Sequence, residues 1–171
     1  MSTRYLFLII LCAGLMFSGC KKSIENKSEY QVSLAVWKSF KSSSGNSYRY
    51  TVITSSWVGI STETTITVRS GKVTNRSYIR KMITGTPGVV TIADQWTEDE
   101  ATLNTHEAGA ISRTLDEIYE QAKNDWLKPR PDATIYFETD NNGMISSCGY
   151  VPNGCADDCF TGISIKSIER L

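Results

Sequence analysis

Three cysteines near the C-terminus (Cys148, Cys155, Cys159) and one histidine (His106) are the side chains of this 171-residue chain best suited to nucleophilic or metal chemistry. A thiol becomes a nucleophile beside a base, and Cys155 with His106 is the pair on offer; a disulfide would consume that thiol. A serine hydrolase would need an elbow such as G-x-S-x-G, and a phosphate binder a Gly-rich loop; the chain has neither. Zinc asks for paired, closely spaced cysteines and a fourth ligand, whereas the spacing here is C-x6-C-x3-C with no histidine nearby. Hard oxygen ligands stand at Asp157 and Asp158, with Asn153, as a candidate calcium loop. Asp140-Asn141-Asn142-Gly143 also mimics the start of a calcium loop, but the twelfth position counted from Asp140 is Val151 and not Glu. Aromatic side chains form the other group: Tyr48, Trp57, Tyr78 and Trp96 would stack on a sugar or peptide if they shared an exposed sheet face, and would fill the core if they lay under helices.

Composition narrows the classes. Eighteen Lys+Arg against eighteen Asp+Glu give a formal net charge of zero, which removes the basic surface that nucleic-acid binding requires. A hydrophobic content of 40% supplies enough apolar surface for a folded core. No cofactor motif is present, and no cofactor is expected.

The N-terminus reads as an address. Arg4 is followed by an uncharged apolar run from Tyr5 to Phe17, 13 residues long. A membrane-spanning helix needs about 20 such residues. The run ends in Phe17-Ser18-Gly19-Cys20, which resembles the lipobox of bacterial lipoprotein precursors, with Phe17 where that pattern usually has Leu. The resemblance implies cleavage after Gly19, diacylglycerol on the Cys20 sulfur and acylation of the new amino terminus. Several acyl chains, at about 0.8 kcal/mol per buried CH₂, make a stable anchor. Lys21-Lys22 follow where an inner-membrane retention signal would place Asp, so an outer-membrane location is expected. The organisation expected is a signal peptide over 1–19, a tether over 20–28 and one domain over 29–171.

In that oxidising compartment, one disulfide and one odd thiol is the simplest arithmetic for Cys148, Cys155 and Cys159. Cys148–Cys159 is the expected pair, because a hairpin would set them face to face. Cys148–Cys155 is the alternative, and Cys155–Cys159 would close a very tight loop.

The elements that must position these residues follow from periodicity. Tyr30, Leu34, Trp37 and Phe40 predict a helix from about Ser28 to Lys41. Ser47–Trp57, Ser61–Arg69 and Lys72–Lys81 predict three strands, the last two joined by a Ser70-Gly71 turn. Met82–Arg113 lacks pattern apart from a short strand at Val89–Ile92 and reads as a long loop, functional or poorly ordered. Thr114-Leu115-Asp116-Glu117 is a capping box opening a second helix. Three strands end the chain: Thr134–Glu138, Met144–Val151 and Phe160–Ile168. The fold class is α+β, an antiparallel sheet of about six strands with two helices on one face, in the order helix–three strands–helix–three strands.

Asn46-Ser47-Tyr48-Arg49-Tyr50, Ser70-Gly71-Lys72-Val73 and Thr114–Tyr119, with the paired C-terminal strands, resemble a family of uncharacterised bacterial envelope lipoprotein domains. The likeness covers most of Trp37–Ile168 and rests on turn and cap residues. It implies a fold and lends no catalytic residue. The function expected is therefore a lipid-anchored cell-envelope protein, a non-catalytic binding or structural lipoprotein held at the membrane by Cys20, with an envelope protein or glycan as partner. The alternatives are a small envelope hydrolase using His106 with Asp or Cys residues, and a calcium-dependent binding module using Asp157 and Asp158.

Overall fold

The structure, a computed structural model, describes residues 23–85 and 88–171. The expected signal peptide and Cys20 lie outside the described residues. The first helix, α1 (Lys27–Ser43), buries Tyr30, Ser33 and Trp37 along one stripe. It ends where Gly45 (φ 59°) and Asn46 (φ 54°) turn left-handed, and the Asn46 amide closes back on the Lys41 carbonyl at 2.8 Å. The fold starts earlier than expected. Ile24 packs against the core and the Glu25 amide donates to the Leu127 carbonyl at 2.8 Å, so the second half of the 20–28 tether belongs to the domain.

Four strands follow: β1 (Tyr48–Ser55), β2 (Ile60–Arg69), β3 (Lys72–Thr84) and β4 (Val89–Asp99). Alternation in β1 sends Tyr48, Tyr50 and Val52 inward and Arg49 and Ile53 outward. The β2–β3 hairpin turns on Ser70 (φ 47°) and Gly71 (φ 82°), the paired positive φ values of the two-residue turn that matches strand twist. β4 corrects the expected long loop. It pairs with β3 from Val89–Thr84 to Asp99–Asn75, with one bulge. Its polar residues fit because it is an edge strand exposed on nearly its whole length, so alternation has little to bury there.

Thr114 caps the second helix, α2 (Leu115–Gln121). Its hydroxyl accepts the Glu117 amide, and the Glu117 carboxylate accepts the Thr114 amide. The helix widens into one π turn, Ala122–Trp126, which leaves Trp126 and Leu127 buried. The chain closes with β5 (Ala133–Glu138), β6 (Ser147–Pro152) and β7 (Thr161–Arg170). The result is a seven-stranded sheet in the order β4-β3-β2-β1-β7-β6-β5, antiparallel at every pairing. Among the described residues the order is helix–four strands–helix–three strands. Both helices cover the same face, and the core between them and the sheet holds Trp37, Tyr48, Ile66, Leu115, Ile118 and Ile165.

β7 has two sets of neighbours. Ile165–Arg170 pair with β1, and Thr161–Ser164 pair with β6. The β1–β7 ladder ends at Val52–Ile165, so the sheet forks beyond that point. Among the described residues, no helix is long and apolar enough to cross a membrane.

Candidate functional site

The fork opens a groove of about 640 Å³ on the helix-covered face. Its floor is the inward row of three strands: Tyr50, Val52 and Thr54 of β1, Thr62 and Thr64 of β2, and Tyr78 of β3. Ile118, Gln121 and Trp126 form one wall, Thr161–Ile163 of β7 another, and Ala108–Ile111 the third. The surfaces are mostly apolar, relieved by threonine hydroxyls. Thr54 and Thr62 bond to one another at 2.7 Å across the strand pair. Arg113, the charged side chain in the lining, is engaged by Gln121. Tyr50 donates its hydroxyl to the Arg113 carbonyl at 2.6 Å, and Tyr48 receives the Leu115 amide at 2.9 Å. Burial pushes both phenols far above their ordinary range, so neither ionises at any physiological pH.

The third wall belongs to a loop, residues 100–113, that has no regular structure and few apolar side chains. A buried ion pair holds it. Arg76 of β3 and Glu98 of β4 face one another and are each 1% exposed. The guanidinium grips the carboxylate with two bonds, Nε to Oε2 at 2.7 Å and Nη2 to Oε1 at 2.8 Å. Its remaining donors reach the loop, at the Ala110 carbonyl (3.1 Å) and the His106 carbonyl (2.8 Å). Glu98 in turn accepts the Asn104 and His106 amides, both at 2.8 Å, and His106 Nδ1 at 2.9 Å. The Arg76 guanidinium holds the Glu98 carboxyl well below the usual carboxylate range against the opposing effect of burial, and the His106 and Asn104 donors add to it. Gly109 (φ 85°) lets the loop lie flat on the sheet. A Cβ there would come 3.0 Å from Thr64 Oγ1 and 3.1 Å from the Tyr78 ring.

No protein-family model, curated protein or solved structure matches this chain. The likeness to envelope lipoprotein domains therefore rests on the residues quoted for it, and the site is read from its own geometry.

The structure disperses the four aromatic candidates. Tyr48 is wholly buried beneath the helices, and Tyr78 is nearly so. Tyr78 and Trp96 stack at 5.1 Å, and His106 lies parallel on Trp96 at 4.3 Å. Trp57 stands apart at the β1–β2 turn, 77% exposed. They make no common platform, because alternation sends Tyr48 and Tyr78 under covers while Trp57 lies beyond the end of its strand.

His106 stands in the polar 100–113 loop. Its ring is half-exposed, bonded to Glu98 and stacked on Trp96, which is a pinning role. Cys155, its conceivable nucleophile, is bonded to Cys159. That pairing replaces the expected Cys148–Cys159. These two cysteines sit in an exposed loop with their Cα atoms 6.4 Å apart, whereas Cys148, near the start of β6, is buried in the core. Burial pushes the Cys148 thiol up to about 12. Asp157 and Asp158 border a hollow beside Trp57, and Asp157 Oδ1 accepts the Asp158 amide at 3.0 Å. Among the described residues no group of three or more His, Cys, Asp or Glu side chains stands ready to hold a metal ion.

Arg76 and Thr64 carry no motif, and Glu98 stands in an acidic run, Glu98-Asp99-Glu100, that by charge alone reads as a solvated face, whereas the Glu98 side chain is buried. One signal pointed to them: Arg76 shares its strand face with inward Tyr78, and a charge on an apolar face demands a partner.

Proposed function

We propose that this protein is a lipid-anchored cell-envelope lipoprotein that binds another envelope component in the groove between α2, the fork of the sheet and the 100–113 loop. The observation that carries the binding reading is the groove itself. Its volume suits one small ligand or a few residues of a partner, and a rigid, ion-paired loop keeps one wall in place before anything binds. Its lining favours an apolar, uncharged segment of an envelope protein, with backbone groups that Thr54, Thr62 and Thr161 can meet. A glycan fits less well, because the aromatic faces that stack on sugars are taken. Tyr50 and Trp126 are buried, and Trp96 already stacks on Tyr78 and His106. The anchor reading is supported by Phe17-Ser18-Gly19-Cys20 after an apolar run.

Two measurements on protein from native membranes test the two parts. Mass spectrometry of the N-terminal peptide should find Cys20 carrying diacylglycerol; an unmodified residue 20 removes the anchor. A photo-reactive residue at Ile111, on the exposed rim, should cross-link a partner in cells, and Thr62→Trp, which fills the floor, should abolish the adduct. An adduct undiminished by the filled groove removes the groove as the site.

A further inference from the structure

Among the described residues, five exposed apolar side chains lie at the end of the sheet formed by the β1–β2 turn and the β3–β4 hairpin. Trp57 and Val58 are 77% and 54% exposed, and Ile83, Val89 and Val90 are each more than half exposed. They lie at one end of the strands: the Ile83 amide donates to the Gly59 carbonyl at 2.9 Å, tying the β3–β4 hairpin to the β1–β2 turn, and Ile83 faces Val90 across the hairpin while Val89 turns to the other side. A cluster of this kind is unusual on a surface that meets only water.

The chain enters the domain at this same end. α1 runs opposite to β1: its last turns set Trp37 and Phe40 on Tyr48, at 5.0 and 6.5 Å between centroids, where β1 begins. Its first turn sets Tyr30 against Phe137 at 6.2 Å. Phe137, Cys148 and Ile163 form one row across the sheet, and Ile163 lies beyond the last β1–β7 pair, Val52–Ile165, toward the end of β1. Along the strand direction Ile24 and Glu25 therefore sit toward the Trp57 end, on the β5 side of the sheet. Ile24 stands four positions after Cys20, a reach of at most about 14 Å.

We infer that this end of the domain lies against the bilayer that holds the Cys20 lipid, and that Trp57, with Val58, Ile83, Val89 and Val90, enters its interfacial layer as a second attachment. The inference rests on the lipid-anchor reading. Indole rings favour the headgroup boundary, where one edge is apolar and the N–H stays wet. A tether this short makes the second contact intramolecular, so even a weak surface preference keeps it engaged. Asp157 and Asp158, beside Trp57, suit the ammonium groups of phosphatidylethanolamine. Held in this way, the domain would have one fixed orientation on the membrane.

The test uses the full chain processed in a bacterial envelope, purified with its lipid and reconstituted into phosphatidylethanolamine–phosphatidylglycerol vesicles with and without brominated acyl chains. Bromine should quench Trp57 alone among the four tryptophans, a loss of about a quarter of the emission, and Trp57→Ala should abolish the effect. Val90→Glu keeps Trp57 and should reduce the quenching roughly twofold, by disfavouring insertion of the same end. Mass spectrometry of the same preparation reads residue 20. A lipidated Cys20 with no Trp57-dependent quenching overturns this inference and leaves the anchor intact; an unmodified Cys20 overturns both. A dimer in detergent that shields Trp57, with no bromine quenching in vesicles, would assign the patch to a second copy and equally overturn it.

Discussion

Beneath α1 and α2, the inner face of β1 is closed by Trp37, Tyr48, Leu115 and Ile118, all without solvent exposure. Beneath the 100–113 loop, the inner face of β3 and β4 is closed just as tightly by Arg76 and Glu98. One sheet face thus carries two kinds of cover. In the helix-covered half, the hydrophobic effect acts without direction, and its few polar atoms are satisfied locally. Tyr30 donates to the Tyr119 carbonyl at 3.0 Å, and the Trp37 indole donates to Asp116 at 3.0 Å. In the loop-covered half there is too little apolar area to hold a segment down, and directional bonds replace it. Each donor of Arg76 and each acceptor of Glu98 requires one particular loop shape. A buried ion pair is poor evidence of net stability, because desolvation offsets most of the attraction. Its contribution here is shape: it sets the groove wall.

Substitutions that remove one cover at a time should separate the halves. Trp37→Ala deletes the largest buried side chain of the helical half and should cost about 3–5 kcal/mol of global stability in denaturant melts. Amide exchange should quicken throughout the sheet. Glu98→Gln leaves Arg76 buried without its counter-charge and should cost about 3 kcal/mol, with accelerated exchange concentrated in residues 100–113 and in β4. Faster exchange across α1 and α2 as well would mean that the two covers are one cooperative unit.

Acid should reproduce that second change more gently. Glu98 is held below its ordinary pKa in the folded protein, so the unfolded chain takes up the proton first as pH falls. The stabilisation is complete at neutral pH. It begins to fade below about pH 5, near the unfolded Glu value, and is lost progressively as pH drops toward the folded one. The melting temperature of the parent minus that of Glu98→Gln should therefore shrink with acidification. A gap that stays constant between neutral and strongly acidic pH would show that Glu98 does not act through its charge.

Local features were legible in the residues themselves. The Tyr48/Tyr50/Val52 alternation, the Ser70-Gly71 turn and the Thr114–Glu117 capping box each depend on neighbours a few positions away, and each appears in the fold. β4 was not legible past Ile92, because an exposed edge strand buries almost nothing and its polar residues imitate a loop. The cysteine pairing failed for a related reason. Spacing says nothing about which thiol a strand turns inward, and β6 turns Cys148 into the core. The groove was legible only in part. Its threonines and aromatics lie on readable strands, but the wall depends on Arg76 meeting Glu98, 22 positions away, and on a loop wrapping both.

β7 belongs to two ladders at once, and that dictates when the sheet can be finished. β1–β4 can zip together hairpin by hairpin as they leave the ribosome or a translocation pore, and β5 and β6 can pair soon afterwards. Neither half can join the other until residues 161–170 arrive to stitch β1 to β6. Until then both strands present bare backbone to the surroundings, the condition in which nascent chains mispair with one another. A chaperone that guards this molecule would be needed most in the moments before its final strand emerges.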